Sequence, residues 1–177
     1  MSNLPRPCLV DTNVPITANR AVDPGTIPQD EIACVLACVE AIEHVIRRSG
    51  LVIDAGNEIY DEYRHKLSLS GQPGIGDSFL KWVHDHRWTL PEIDRVSITK
   101  NGESYIEFPD HDELGGFDRS DRKFVAVANA HPNKPPILQA TDSKWWGWQF
   151  ALAEVGITVH FLCPEYAQAK YAEKMGA

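Results

Sequence analysis

Along the 177-residue chain, short unbroken apolar runs alternate with longer stretches in which apolar residues recur every three or four positions. The first pattern reads as strands buried on both faces, the second as helices with one buried stripe. Four buried strands are expected: residues 7–11 (PCLVD), 51–54 (LVID), 135–142 (PPILQATD) and 157–162 (ITVHFL). Thr12, Asn13 and Pro15 break the first of them. Ile32, Val35, Leu36, Val39, Ile42, Val45 and Ile46 then fall at helical spacing. Asp30 and Glu31 precede this stretch, Arg47 and Arg48 close it, and Gly50 stops it, an order of charge that suits a helix dipole. Further helices are expected over 57–67, with Ile59, Tyr63 and Leu67 on one side, and around Phe79, Leu80 and Val83 after a loop at 71–76. Others span 122–131 and 143–155, and a last one opens at Pro164.

One segment breaks the alternation of strand and helix. Residues 94–108 alternate apolar and polar across Lys100-Asn101-Gly102-Glu103, and Asn-Gly is a strong hairpin signal. The stretch 108–121 (FPDHDELGGFDRSD) is polar and turn-rich and reads as a mobile loop. Strands alternating with helices indicate an α/β chain with a mainly parallel sheet covered on both faces. The pattern shows no internal repeat and no boundary, so residues 1–177 read as a single domain.

Composition agrees with a globular fold, at 43% apolar and 24% charged residues. Acids outnumber bases 25 to 17, a formal net charge of −8. Proteins that coat nucleic acid neutralise phosphates with Lys and Arg, so this balance argues against that class. It leaves room for an enzyme that meets phosphate through a bound metal. No run approaches the roughly 20 apolar residues that cross a bilayer, and the first residues lack the features of a signal peptide. Cys34 and Cys38 lie one helical turn apart, but no CxxC or HExxH spacing accompanies them to point to zinc. All four cysteines, with Cys8 and Cys163, read as reduced thiols of a cytoplasmic protein.

The excess acid is not scattered. In open parallel α/β sheets, ligands bind beyond the carboxyl ends of the strands. Asp11 ends the first strand and Asp142 the third; Glu62 lies on the helix after the second. Asp118 and Asp121 are three apart at the start of the helix FVAVANA and so point to one side. Each has an ordinary reading alone: an Asx turn for Asp11, solvation for Glu62, helix caps for Asp118 and Asp142. Jointly they would gather carboxylates that repel by about 4 kcal/mol at about 4 Å and an effective dielectric near 20. A divalent cation relieves that repulsion, and oxygen-only ligands suit Mg²⁺ or Mn²⁺. Such a site hydrolyses phosphodiesters with water activated on the metal.

At these residues the sequence resembles the PIN-domain superfamily of metal-dependent ribonucleases. The matching pieces are LVDTNV (9–14), EIYDEYRHKL (58–67), DRSDRKFVAVANA (118–130) and LQATDSKWW (138–146), in the family's order and spanning almost the whole chain. The resemblance implies a three-layer α/β/α sandwich around a central, mainly parallel sheet. It implies Asp11, Glu62, Asp121 and Asp142 as catalytic acids, and these four with Asp118 as ligands of one or two Mg²⁺ or Mn²⁺ ions. Two features depart from the family's pattern: the hairpin at 94–108 is longer than in the most compact toxin members, and the common spacer between Thr141 and Asp142 is absent; the longer loop and hairpin favour a larger subfamily.

Asn13 and Thr141 adjoin these acids and are placed to orient a carboxylate or a bound water, or simply to bond a turn. Arg64, Arg119, Arg122, Lys123 and Lys144 lie within a few residues of them; Arg64, Arg122 and Lys144 are the candidates to hold RNA phosphates. Trp145, Trp146 and Trp148 cannot all be buried on one helix face, so at least one is expected in a subunit contact or a substrate groove. The leading expectation is an endoribonuclease acting on RNA, compatible with the toxin half of a toxin–antitoxin pair, with an antitoxin protein and a second copy of the chain as partners. A catalytically silent module with the same fold is the alternative. A phosphatase of the haloacid-dehalogenase type fits less well, because Asn13 stands where that chemistry needs a second acid.

Overall fold

The computed structural model describes residues 3–176. In chain order its elements are β1 (Leu9–Val10), α1 (Asn13–Asn19), α2 (Ile32–Arg48), β2 (Ile53–Asp54), α3 (Glu58–Lys66), α4 (Ile75–His86) and β3 (Arg95–Val96). Then come β4 (Lys100–Asn101), β5 (Ser104–Tyr105), α5 (Arg122–Ala130), β6 (Ile137–Gln139), α6 (Lys144–Glu154), β7 (Val159–Phe161) and α7 (Pro164–Lys174). β1 lies beside β6 and β7 beyond β6, all parallel. On its other side β1 meets the approach to β2 through one parallel bridge, Cys8 to Leu51. The Cys8 N–H donates to the Gly50 carbonyl and the Val52 N–H to the Cys8 carbonyl, both at 2.9 Å. β2 in turn pairs in parallel with β3. The spatial order is therefore β3-β2-β1-β6-β7, and Leu9, Val10, Ile137 and Leu138 are buried on both faces, as their apolar runs require. The chain builds outward from β1 to β3, then crosses back to build outward again from β6. That reversal puts a switch point between β1 and β6, the position at which open parallel sheets bind ligands.

The helical expectations hold in kind, with differences at their edges. α2 buries Cys34, Val35, Cys38, Ala41, Ile42 and Val45, but Leu36 is exposed because it sits about 100° round the helix from Val35. The residues that break the first strand also begin a helix: Pro15 lies in the first turn of α1, where its missing N–H would have no partner. α4 starts inside the expected loop, where the Asp77 carboxylate accepts the N–H groups of Gly74 (2.9 Å) and Ser68 (2.8 Å). A Cβ at Gly76 would lie 2.1 Å from the Pro15 carbonyl oxygen, so α4 crosses α1 where only glycine fits.

Three expectations need correction. The hairpin expected over 94–108 is confined to β4 and β5; Arg95–Val96 joins the parallel sheet beside β2 instead. Alternation of apolar and polar residues marks a half-buried strand of either sense, and here the outer position beside β2 takes it. The stretch 108–121 is not free: Leu114 and Phe117 are buried, and Phe117 packs on Trp145 and Trp148 at ring-centroid distances of 5.1 and 5.5 Å. Two of the four cysteines are not thiols. Cys34 and Cys163 form a disulfide across 129 residues, because the start of α7 docks on α2, which spacing along the chain cannot show. Cys8 and Cys38 remain buried thiols, each pushed up to about 12 by burial. The thiol argument for a reducing compartment therefore does not apply. Among the described residues, no helix is long and apolar enough to cross a membrane.

Candidate acidic site

The carboxyl end of β1 delivers Asp11, which is buried. Its backbone N–H donates to the Leu138 carbonyl of β6 (3.1 Å), and its Oδ2 accepts the Asn13 N–H (2.9 Å). The Asn13 side chain then reaches across the switch point: its Oδ1 accepts from the Thr141 N–H (2.6 Å) and hydroxyl (3.1 Å). The loops after β1 and β6 are thus tied together beside Asp11. Tyr63 of α3 donates its hydroxyl to the Val10 carbonyl, which fixes α3 against β1. Glu62, the residue before it, is turned to the same end of the sheet. There its Oε1 accepts the Thr12 hydroxyl (2.6 Å), while its Oε2 pairs with the ammonium of Lys123 from α5. Lys123 also donates to the Ser120 carbonyl. Asp121 immediately precedes α5, and Asp142 immediately follows Thr141.

The titration of these groups reports their mutual proximity. Burial raises Asp121 to about 6, and the negative charges of Asp118, Asp142 and Glu62 add to that, against a smaller opposing effect of Lys123. Burial also raises Asp11 well above the usual carboxylate range, helped by Asp121 and Glu62 and opposed by the Asn13 N–H and the Gln139 amide. Asp118 moves the other way. Its Oδ1 accepts the Ser120 hydroxyl (2.8 Å) and N–H (3.0 Å), and its Oδ2 meets Lys144 Nζ at 3.3 Å. Asp121 and Glu62 therefore lie near Asp11, and Asp118, Asp142 and Glu62 near Asp121. The ordinary local bonds exist as well: Asp118 Oδ1 caps the 3-10 turn before α5, and Asp142 Oδ1 accepts the Lys144 N–H at 3.2 Å.

The carboxylate oxygens and their crowded like charges are donor chemistry that suits a hard divalent cation, and a buried polar atom lies beside them that would donate to a carboxylate or a water rather than ligate the ion. That atom is Nε2 of Gln139, fully buried next to Asp11 and without a hydrogen-bond partner. The spacing is wider than a closed ligand cage. Among the described residues, no three of the five acids bring oxygens within 4.8 Å of one another. The trio that does is His111, Glu113 and Glu154. There the Glu113 N–H donates to His111 Nδ1 (3.1 Å), so Nε2 carries the proton and donates it to Glu154 (2.6 Å). Those ring nitrogens are engaged in hydrogen bonds rather than open to a metal.

The remaining sequence-predicted residues divide. Lys144 stands at the rim against Asp118. Arg64 is exposed, its guanidinium 5.8 Å from the centre of the Tyr60 ring. Arg122 is occupied in holding the loop and hairpin to α5: it donates to the Phe117 and Gly115 carbonyls and the Ser104 hydroxyl, and lies 4.7 Å over Phe108. Trp145 is buried, Trp146 packs on Phe161, and Trp148 lines a cavity of about 280 Å³ with Lys144, Gly147, Tyr171 and Met175. Thr12 and Gln139 escaped the sequence reading, and Lys123 figured there only as one local base among several. The available signal for Gln139 was a lone amide inside an apolar strand run. A scan against protein-family models, a search of curated proteins and a search of solved structures each find no match for this chain.

Proposed function

We propose that the chain is a Mg²⁺- or Mn²⁺-dependent endoribonuclease of PIN-like architecture, with helices on both faces of the parallel sheet. The observation that carries this reading is the gathering of Asp11, Glu62 and Asp121 at the switch point, where Asp121 and Glu62 raise the proton affinity of Asp11 and Glu62 raises that of Asp121. Asp11, Glu62 and Asp121 would hold the cation, with Asp118 and Asp142 at the rim. When bound, such a cation supplies a water of lowered pKa and polarises the phosphodiester.

The chain's own residues have separable tasks. Thr12 orients Glu62 through its hydroxyl, and the Asn13 N–H orients Asp11. The Asn13–Thr141 bonds fix the distance between the loops that carry Asp11 and Asp142. Gln139 offers a buried N–H donor beside Asp11, suited to a carboxylate or a water. Lys144 is the base closest to hand for an RNA phosphate at the rim, and the aromatic cavity that begins beside it suits an unstacked base. Cleavage of a structured and an unstructured RNA, with Mn²⁺ and with EDTA, tests the reading. Cleavage by the wild type that EDTA stops and that D11N and D142N lack is the expected result. A second reading, the silent binding module, draws on one observation: Lys123 already neutralises Glu62. Failure of the wild type to cut any RNA with Mn²⁺ would favour it.

A further inference from the structure

The base closest to the acids is not at the rim with Lys144 but inside the cluster. The Lys123 side chain is only 13% exposed, and its ammonium is shared between Glu62 Oε2 and the Ser120 carbonyl. Glu62 has its other oxygen on the Thr12 hydroxyl, so both oxygens are engaged. A second buried group stands in the same cluster: Gln139 Nε2 is fully buried beside Asp11, near enough to lower its proton affinity but outside full hydrogen-bond geometry. The cluster is thus half satisfied. The Glu62 side carries its own cation, and the Asp11 side has only the Gln139 amide and the Asn13 N–H to set against the nearby charge of Asp121.

Resting on the metal reading above, we propose that Lys123 is the resident counter-ion of the acid cleft, and that it must give up Glu62 when a divalent cation binds. The physics is competitive. An ammonium and a divalent cation on one carboxylate repel each other, and the repulsion grows in a partly buried cleft where water screens little. The lysine stem is long and flexible, so its head can swing outward past Ser120 while α5 stays in place. Lys123 acts through Glu62 and is a positioning residue: it keeps the metal-free cleft from being unpaired, and it weakens the first cation to enter.

Two measurements on the full chain test this. Mn²⁺ binding by calorimetry is compared in wild type, K123M and K123R, with thermal melts to establish that each variant folds. K123M keeps the apolar stem and loses the charge; it should bind Mn²⁺ at least about tenfold more tightly than wild type, and K123R should return toward the wild-type value. Wild type binding Mn²⁺ as tightly as K123M overturns the inference and leaves the metal reading intact. No Mn²⁺ uptake by either removes both. Separately, acylation of Lys123 by an amine-reactive reagent, read by mass spectrometry on the wild type, should accelerate when Mg²⁺ is added. Labelling that is unchanged or slower with Mg²⁺ overturns the proposed release.

Discussion

Asp11 and Asp54 lie at the carboxyl ends of adjacent parallel strands, both follow apolar runs, and both are buried. Asp54 gives one oxygen to the Glu58 N–H and the other to the Ile59 N–H, each at 2.8 Å. It closes the open amino end of α3, and its negative charge meets the positive end of the helix dipole. Asp11 accepts one backbone N–H and otherwise looks toward Asp121 and Glu62. Position at a strand end therefore does not distinguish an acid that caps a helix from one crowded by other acids. The partners do: an acid surrounded by N–H groups holds the fold together, while an acid surrounded by acids is held in place by the fold.

The sharpest way to break this contrast is substitution at both sites. D11N should reduce Mn²⁺-dependent RNA cleavage by about a thousandfold or more, because it removes a charge the cation needs and nothing replaces it. D142N should follow it, and D54N should retain cleavage in whatever fraction stays folded. Full cleavage by D11N alongside loss in folded D54N would reverse the roles. The next effect is on stability. D54N puts an amide NH₂ against a backbone N–H and should cost about 2–3 kcal/mol in urea unfolding with EDTA present. D11N under the same conditions should cost less than about 1 kcal/mol or stabilise, because it relieves repulsion from Asp121.

The pH dependence reports on the crowding around Asp11 and Asp121. Asp121 titrates near 6 when folded and near 3.9 when unfolded, so the folded chain holds that proton more tightly. Its contribution to stability is complete below about pH 4 and is lost as pH rises through about 6. Asp11 is shifted in the same direction. In EDTA, the wild type should lose stability over that window, and D121N should flatten the loss; saturating Mg²⁺ should flatten it as well, by stabilising the ionised acids. A wild-type profile that rises over the same window would show that the acids do not crowd one another.

Much of this contrast was legible along the chain, though unevenly. The apolar run before Asp11 and the polar turn after it mark a strand end, and Asp142 follows an apolar run in the same way. Asp54 has the same signature, LVID before AGN, and nothing in the hydrophobic pattern tells it from Asp11; only what the folded helices bring alongside does so. Lys123 could be seen to lie near the acids but not to reach Glu62, because that contact joins α5 to α3. The Cys34–Cys163 link escaped for the same reason. α1 and the start of α4 were hidden by Pro15, Gly74 and Gly76, residues that usually end structure and here sit in first turns or at a helix crossing. Leu114 and Phe117 show the converse: two apolar residues in a polar stretch are enough to anchor it.

The smallest expected effect bears on what keeps Asp11 where it is. Asn13 does not face the acids; its side chain accepts both bonds from Thr141, across 128 residues of chain. N13A leaves the Thr141 N–H and hydroxyl short of an acceptor at a half-buried site and should cost about 1 kcal/mol of stability. Its backbone N–H still reaches Asp11, so the charge of the cluster is untouched. What loosens is the spacing between the loops bearing Asp11 and Asp142, and support of that kind around a metal site is worth about tenfold to a hundredfold in activity or affinity. N13A should therefore cut more slowly by roughly that factor while D54N, at greater cost in stability, cuts at the wild-type rate per folded molecule. If the two variants lose activity in proportion to stability, Asn13 is one more residue that holds the fold, and the contrast between Asp11 and Asp54 does not extend to the residues beside them.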